Sequence, residues 1–133
     1  MYLLDTCVLS EARRGSRPAV DWLGQVDEGA LFLSVLTLGE ISKGIEMRAR
    51  TDRVAAESLR RWLHGLRTGY ADRILPIDAE ILLAWGALMA RRPRPVADAL
   101  IAATALIHRK TFVTRNQADF EDTGVDVVNP WAD

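Results

Sequence analysis

Four carboxylates in this chain fall where a folded α/β protein can bring them together: Asp5, Glu40, Asp98 and Asp119. Oxygen-only donors suit a hard divalent cation, Mg²⁺ or Mn²⁺, rather than zinc. A cation held by such a set turns bound water into a nucleophile and stabilises a departing phosphate oxygen. Without a cation the acids oppose one another. Two carboxylates about 4 Å apart repel by roughly 4 kcal/mol at an effective dielectric near 20. The two histidines, His64 and His108, lack ligand spacing and read as structural or exposed.

The elements around these acids explain why they should meet. The apolar run Tyr2-Leu3-Leu4 stops abruptly at Asp5, as a buried strand of a parallel sheet does. Further strands are predicted at 30–34, 74–77, 111–114 and 125–128, the third near a sheet edge because of Pro76. A short helix through Glu11 to Arg14 is expected, capped by Thr6 or Ser10, then one from Pro18 to about Val26. Longer helices are predicted at 35–50, 52–67 and 96–108. Another starts at Asp78, with Ile81, Leu82, Trp85, Leu88 and Met89 as its apolar face. Residues 116–121 read as a short turn or helix. Strands alternating with helices indicate a parallel sheet covered on both faces, with residues 1–133 as one domain.

Taking the carboxyl edge of that sheet as reference, Asp5 follows the first strand and Asp119 follows the fourth by a few residues. Glu40 lies early in the helix after the second strand. Asp98 opens the helix that leads into the fourth strand, and a crossover helix runs antiparallel to the strands it joins, so its start lies at the same edge. Ligands of open α/β sheets gather there. Each acid also has an ordinary reading. Asp5 can cap a helix, Glu40 can pair with Lys43, Asp98 can complement a helix dipole, and Asp119 can be a loop acid beside Glu121 and Asp122. Asp78 is the nearest decoy, a helix cap after the third strand.

Composition narrows the alternatives. With 49% hydrophobic and 26% charged residues the chain is ordinary globular protein. A net charge of −1 provides no global basic field. The single Cys7 allows no internal disulfide and fits a reducing compartment. Asp5 interrupts any leader-like apolar start, and no apolar run approaches a membrane span, so a cytoplasmic protein is expected. No glycine-rich turn follows a strand, which argues against a nucleotide cofactor. A phosphotransferase with Asp5 as nucleophile lacks a second aspartate two residues on.

Four segments, LLDTCVLSE at 3–11, LTLGEISKGI at 36–45, VADALIAATAL at 96–106 and TRNQADF at 114–120, together resemble the motifs of PIN-domain ribonucleases. The resemblance is to the VapC and FitB type, toxins of type II toxin–antitoxin pairs, and runs through the VVNPW ending. It implies a three-layer α/β/α sandwich with a mostly parallel sheet of four to five strands. It also implies a Mg²⁺-dependent (or Mn²⁺-dependent) endoribonuclease, an RNA substrate, a cognate DNA-binding antitoxin and a homodimer. The acidic quartet carries over to Asp5, Glu40, Asp98 and Asp119, and polar helpers to Thr6, Thr114 and Asn116. Thr6 would bond metal-bound water or orient Asp5, and Asn116 would fix the loop bearing Asp119. Cys7 departs from the Asn or Ser of many relatives. As a weak donor, it puts any contact through that side chain in question. Arg13, Arg14, Arg17, Arg91, Arg92 and Arg94 are candidate rims for RNA phosphates, a solvated charged face being the alternative for each. Helix faces around Trp62 and Trp85 are candidate dimer surfaces. The competing readings are a catalytically silent binding module of the same fold and an RNA-processing nuclease that is not a toxin.

Overall fold

In a computed structural model, which describes residues 1–132, five parallel strands form the centre of the protein. They are β1 (Tyr2–Leu4), β2 (Leu31–Ser34), β3 (Ile74–Leu75), β4 (Thr111–Val113) and β5 (Val127–Val128), in the order β3-β2-β1-β4-β5. Six helices connect them: α1 (Thr6–Arg13), α2 (Arg17–Gln25), α3 (Val35–Ala49), α4 (Arg53–Gly69), α5 (Ala79–Arg91) and α6 (Val96–Ile107). Two 3₁₀ turns, Glu28–Ala30 and Gln117–Phe120, complete the order.

The period-two alternation of the strands produces the layers. Leu3 and Phe112 point to one side of the sheet, where they join Ile81, Leu88, Ile101 and Phe120. Leu4 and Val113 point to the other, with Val8, Leu9, Leu31 and Leu33. The result is an α/β/α sandwich. A smaller cluster of Ile41, Ile45 and Ala56 joins α3 to α4. Helix α6 is buried along most of its length, as its alanine-rich sequence implies.

Several boundaries differ from the sequence reading for local reasons. Helix α1 begins at Thr6, directly after the strand, so neither Thr6 nor Ser10 is its cap. Strand β3 stops before Pro76, which cannot donate to a ladder, and lies at the expected edge. Leu82 belongs to the exposed side of α5 rather than its apolar face. Trp62 and Trp85, on the candidate dimer faces, are half-buried and pack in part against the cores; Leu82 and Leu83 are the large apolar side chains that α5 leaves exposed.

Phe112 is fully buried and meets the Phe120 ring edge-on at 4.8 Å. Phe112→Ala is expected to destabilise the protein by about 3–5 kcal/mol, read as a lower urea midpoint with little change in slope.

Candidate active site

Two neighbouring strands deliver the first pair of groups. The β1–β4 register sets Leu4 beside Val113, and the Asp5 amide continues the ladder to the Val113 carbonyl at 2.9 Å. Asp5 and Thr114 therefore emerge together at the carboxyl edge. The Thr114 hydroxyl donates to Asp5 Oδ2 at 2.7 Å and accepts from the Asn116 amide at 3.1 Å. Asp5 occupies the N-cap position of α1, but its side chain makes no capping bond. The ordinary reading of Asp5 as a cap is thus wrong; its carboxylate is turned toward β4.

Cys7 completes that hold. Its thiol donates to Asp5 Oδ2 at 3.3 Å. Burial first, then the charge of Asp5, pushes its pKa from 9.0 to about 11, so the group remains a protonated donor at neutral pH. The contact questioned from sequence is present.

Glu40 arrives on α3, whose start is fixed by Ser34 accepting from the Leu36 amide at 3.0 Å. The Thr6 hydroxyl donates to Glu40 Oε1 at 2.8 Å and stands 3.2 Å from the hydroxyl of the buried Thr37. Thr6 therefore orients Glu40, where metal-bound water or Asp5 was the expected partner. Glu40 itself is exposed.

Asp98 lies in the first turn of α6. Burial, and behind it the charges of Asp119 and Asp5, pushes its carboxyl above the usual aspartate value. Asp119 and Asp5 are thus each within electrostatic reach of Asp98. Asp119 sits exposed in the 3₁₀ turn, whose amide bonds the Asn116 carbonyl at 3.1 Å. Asn116 supports this loop through its backbone; its side chain does not cap the turn.

The donor chemistry fits a hard divalent cation, since the groups at this edge offer carboxylate and hydroxyl oxygens. Among the described residues, no three His, Cys, Asp or Glu side chains are gathered tightly enough to chelate an ion as they stand.

The candidate arginines divide. Arg13 bonds Ser58 at 3.1 Å and lies over the Trp62 ring at 5.5 Å, while Arg14 pairs with Glu11 at 3.0 Å. Both line a groove of about 570 Å³ between α1, α3 and α4, which also holds Thr6, Glu40, Ile45 and Trp62. Arg17 pairs loosely with Asp21 at 3.8 Å. Arg92 and Arg94 both grip Asp122, and Arg91 bonds its backbone carbonyl at 3.3 Å. The Arg94 side chain is only 3% exposed, so it is no phosphate rim. Asp122 carried no signal in the sequence beyond lying in an acidic loop.

The chain's end braces the same loop. The Asn129 side-chain amide donates to the Arg115 carbonyl at 3.3 Å, and the Arg115 guanidinium lies 5.0 Å from the Trp131 ring centre. The Trp131 indole reaches Ser16 at 3.3 Å.

The PIN domain family model matches residues 2–125. The chain belongs to the PIN-domain family. It is 32% identical to the VapC ribonuclease Y4jK of Sinorhizobium fredii over 98% of each chain. It is equally identical to toxin FitB of Neisseria gonorrhoeae, over the whole of both. The crystal structure of FitAcB from Neisseria gonorrhoeae superposes with a TM-score of 0.89 at 31% identity, covering 98% of this chain and 99% of that one. The matched PIN region contains all four acids and all three polar helpers.

Thr114→Val is expected to destabilise the protein by about 1–3 kcal/mol, because the Asn116 amide loses its acceptor, whereas Thr114→Ser should restore most of it in thermal melts. Asp122 yields a pH test. Hydrogen bonds from Arg92 and then Arg94 hold its carboxyl well below the ordinary 3.8. A depressed folded-state value stabilises the protein above the unfolded value and loses that effect as pH falls. Asp122→Asn should therefore lower the melting temperature at pH 7, with the gap closing as pH drops below 3.8.

Proposed function

We propose that this PIN-domain protein is a metal-dependent endoribonuclease that serves as the toxin of a toxin–antitoxin pair. The observation that carries the reading is that the Asp5 carboxylate makes no helix cap but is held at the carboxyl edge by the Thr114 hydroxyl and the Cys7 thiol, with its charge felt at Asp98. The homologous ribonuclease and toxin, each matched almost end to end, supply the reaction class.

Asp5, Asp98, Asp119 and Glu40 would hold Mg²⁺ or Mn²⁺, which supplies an activated water and charge stabilisation for the departing oxygen. The chain's own residues prepare the place. Thr114 and Cys7 fix Asp5 Oδ2, leaving Oδ1 for other partners. Thr6 fixes one oxygen of Glu40 in the same way. Asp98, set back in the first turn of α6, carries the repulsion of two neighbouring acids, which a cation relieves. Substrate RNA would pass along the carboxyl edge, with Arg13 and Arg14 beside Glu40 as phosphate contacts.

The groove between α1, α3 and α4 suits an inhibitory partner. Ile41, Ile45, Leu59 and Trp62 offer apolar anchoring, and Glu40 lies in its lining. An antitoxin tail, apolar in the groove and ending in Arg or Lys, would pair its cation with the acids through parallel hydrogen bonds. A toxin–antitoxin complex from Klebsiella pneumoniae, with a TM-score of 0.76 at 25% identity, supports the pairing with an antitoxin.

Asp5→Asn and Asp98→Asn are expected to abolish Mg²⁺-dependent RNA cleavage by the purified protein, and EDTA to do the same to the native chain. Metal-free stability should hold or rise, because an acid–acid repulsion is removed. A folded variant that cleaves RNA at the native rate would refute the role of that residue. Replacing basic residues of the antitoxin tail singly should release cleavage in the preformed complex; full inhibition throughout would favour simple steric cover.

A further inference from the structure

Helix α5 ends at Arg91 and α6 begins at Val96, and the connection is Arg92-Pro93-Arg94-Pro95. Asp122 lies three residues beyond Asp119 on the far side of the site. Arg92 donates to it through Nε at 2.7 Å and Nη2 at 3.0 Å, one bond to each carboxylate oxygen. Arg94 repeats the pattern through Nη2 at 2.9 Å and Nη1 at 3.2 Å. One carboxylate thus receives two guanidinium forks, each able to set orientation as well as distance. Pro93 and Pro95 fix two φ angles of the connection. Pro95 stands directly before α6, whose first turn carries Asp98.

The turn bearing Asp119 is anchored from below as well. Phe120 is 3% exposed in the core, and the Thr123 hydroxyl donates to its carbonyl at 2.7 Å. Asp119 is therefore strung between a core anchor and a charged clamp. The clamp is more than an isolated surface pair, since the Arg94 side chain is buried in it and both guanidinium groups bind as forks, and two cations on one anion leave a positive charge over. That surplus lies where it has a use. The clamp joins the connection before α6, whose first turn carries Asp98, to the loop after Asp119; the charge of Asp119 is felt at both Asp98 and Arg92.

We propose that Asp122, gripped by Arg92 and Arg94, is a positioning group that ties the Asp119 turn to the start of α6 and so sets the spacing of Asp98 and Asp119 for a divalent cation. This rests on the metal-site reading above. It also moves Arg92 and Arg94 from the RNA path to the framework of the metal site. Arg94 has to leave a buried seat to meet a phosphate.

The test is Mn²⁺ binding to the full chain without RNA, by calorimetry or by the loss of the free-ion paramagnetic resonance signal. The proteins are the native chain, Asp122→Ala, Arg92→Lys, Asp119→Asn and the Asp119→Asn/Asp122→Ala double variant. Circular dichroism checks folding; Arg92→Lys keeps the charge and loses only the fork, so it serves if Asp122→Ala folds poorly. Asp122→Ala should weaken Mn²⁺ binding about tenfold, as loss of a group that orients a ligand does, and Arg92→Lys should weaken it less. In the Asp119→Asn background the Asp122 substitution should change nothing further. Metal-free hydrogen exchange of the amides at 117–123 should quicken in Asp122→Ala. Native Mn²⁺ affinity in both clamp variants, with weakened binding in Asp119→Asn, overturns the inference and leaves the ligand assignment standing. Unchanged binding in Asp119→Asn overturns that assignment and the inference with it. Loss of RNA affinity with native Mn²⁺ binding returns the arginines to the RNA path and also overturns it.

Discussion

A hydroxyl between two parallel strands holds the site together. Thr114 is fully buried, gives its proton to Asp5 and takes one from the Asn116 amide. Both duties depend on the β1–β4 register, since a one-residue slip of β4 would turn Thr114 to the other face of the sheet. That register is fixed by the apolar alternation of Leu3 and Leu4 against Phe112 and Val113, which the two helical layers demand. The geometry of a polar pair at the rim is thus dictated by apolar residues beneath it, where burial supplies most of the driving force.

Around that pair the protein manages like charge. Asp98 is partly buried near two other acids, and no arginine or lysine forms an ion pair with it among the described residues. Asp5 is held by two neutral donors and Glu40 by one, whereas the arginines nearby are engaged with Asp122. The carboxylates are left able to accept a cation but unable to drift freely apart. An arginine paired directly with Asp98 or Asp119 would have stabilised the unliganded chain and competed with the metal.

The fold was readable because its signals are local. An apolar run ending in Asp5, a proline at position 76 and an alanine-rich helix each act over a few residues, and the structure shows the strand, the edge and the buried helix they imply. Family membership was readable too, from four segments in order. The partnerships were not. Thr6 bonds a residue 34 positions away, Thr114 one 109 positions away, and Arg92 one 30 positions away. Which oxygen a hydroxyl meets depends on rotamers and helix rotation, which residue type and spacing do not encode. Hence Thr6 was expected at metal-bound water or at Asp5 when its hydroxyl meets Glu40, Cys7 was undervalued, and the arginines of the α5–α6 connection looked like candidate phosphate contacts.

Strand β4 lies between β1 and β5, so the first strand made during synthesis borders one that follows it by more than a hundred residues. At roughly 5–20 residues per second, Asp5 waits on the order of ten seconds for Thr114. Pairings so distant along the chain are also slow to close. A nascent chain on the ribosome therefore carries Asp5 without Thr114 or Asp119 for as long as β4 remains unmade. For an enzyme that cuts RNA, the sheet order makes completion of the acidic edge wait for the strand that delivers Thr114 to Asp5.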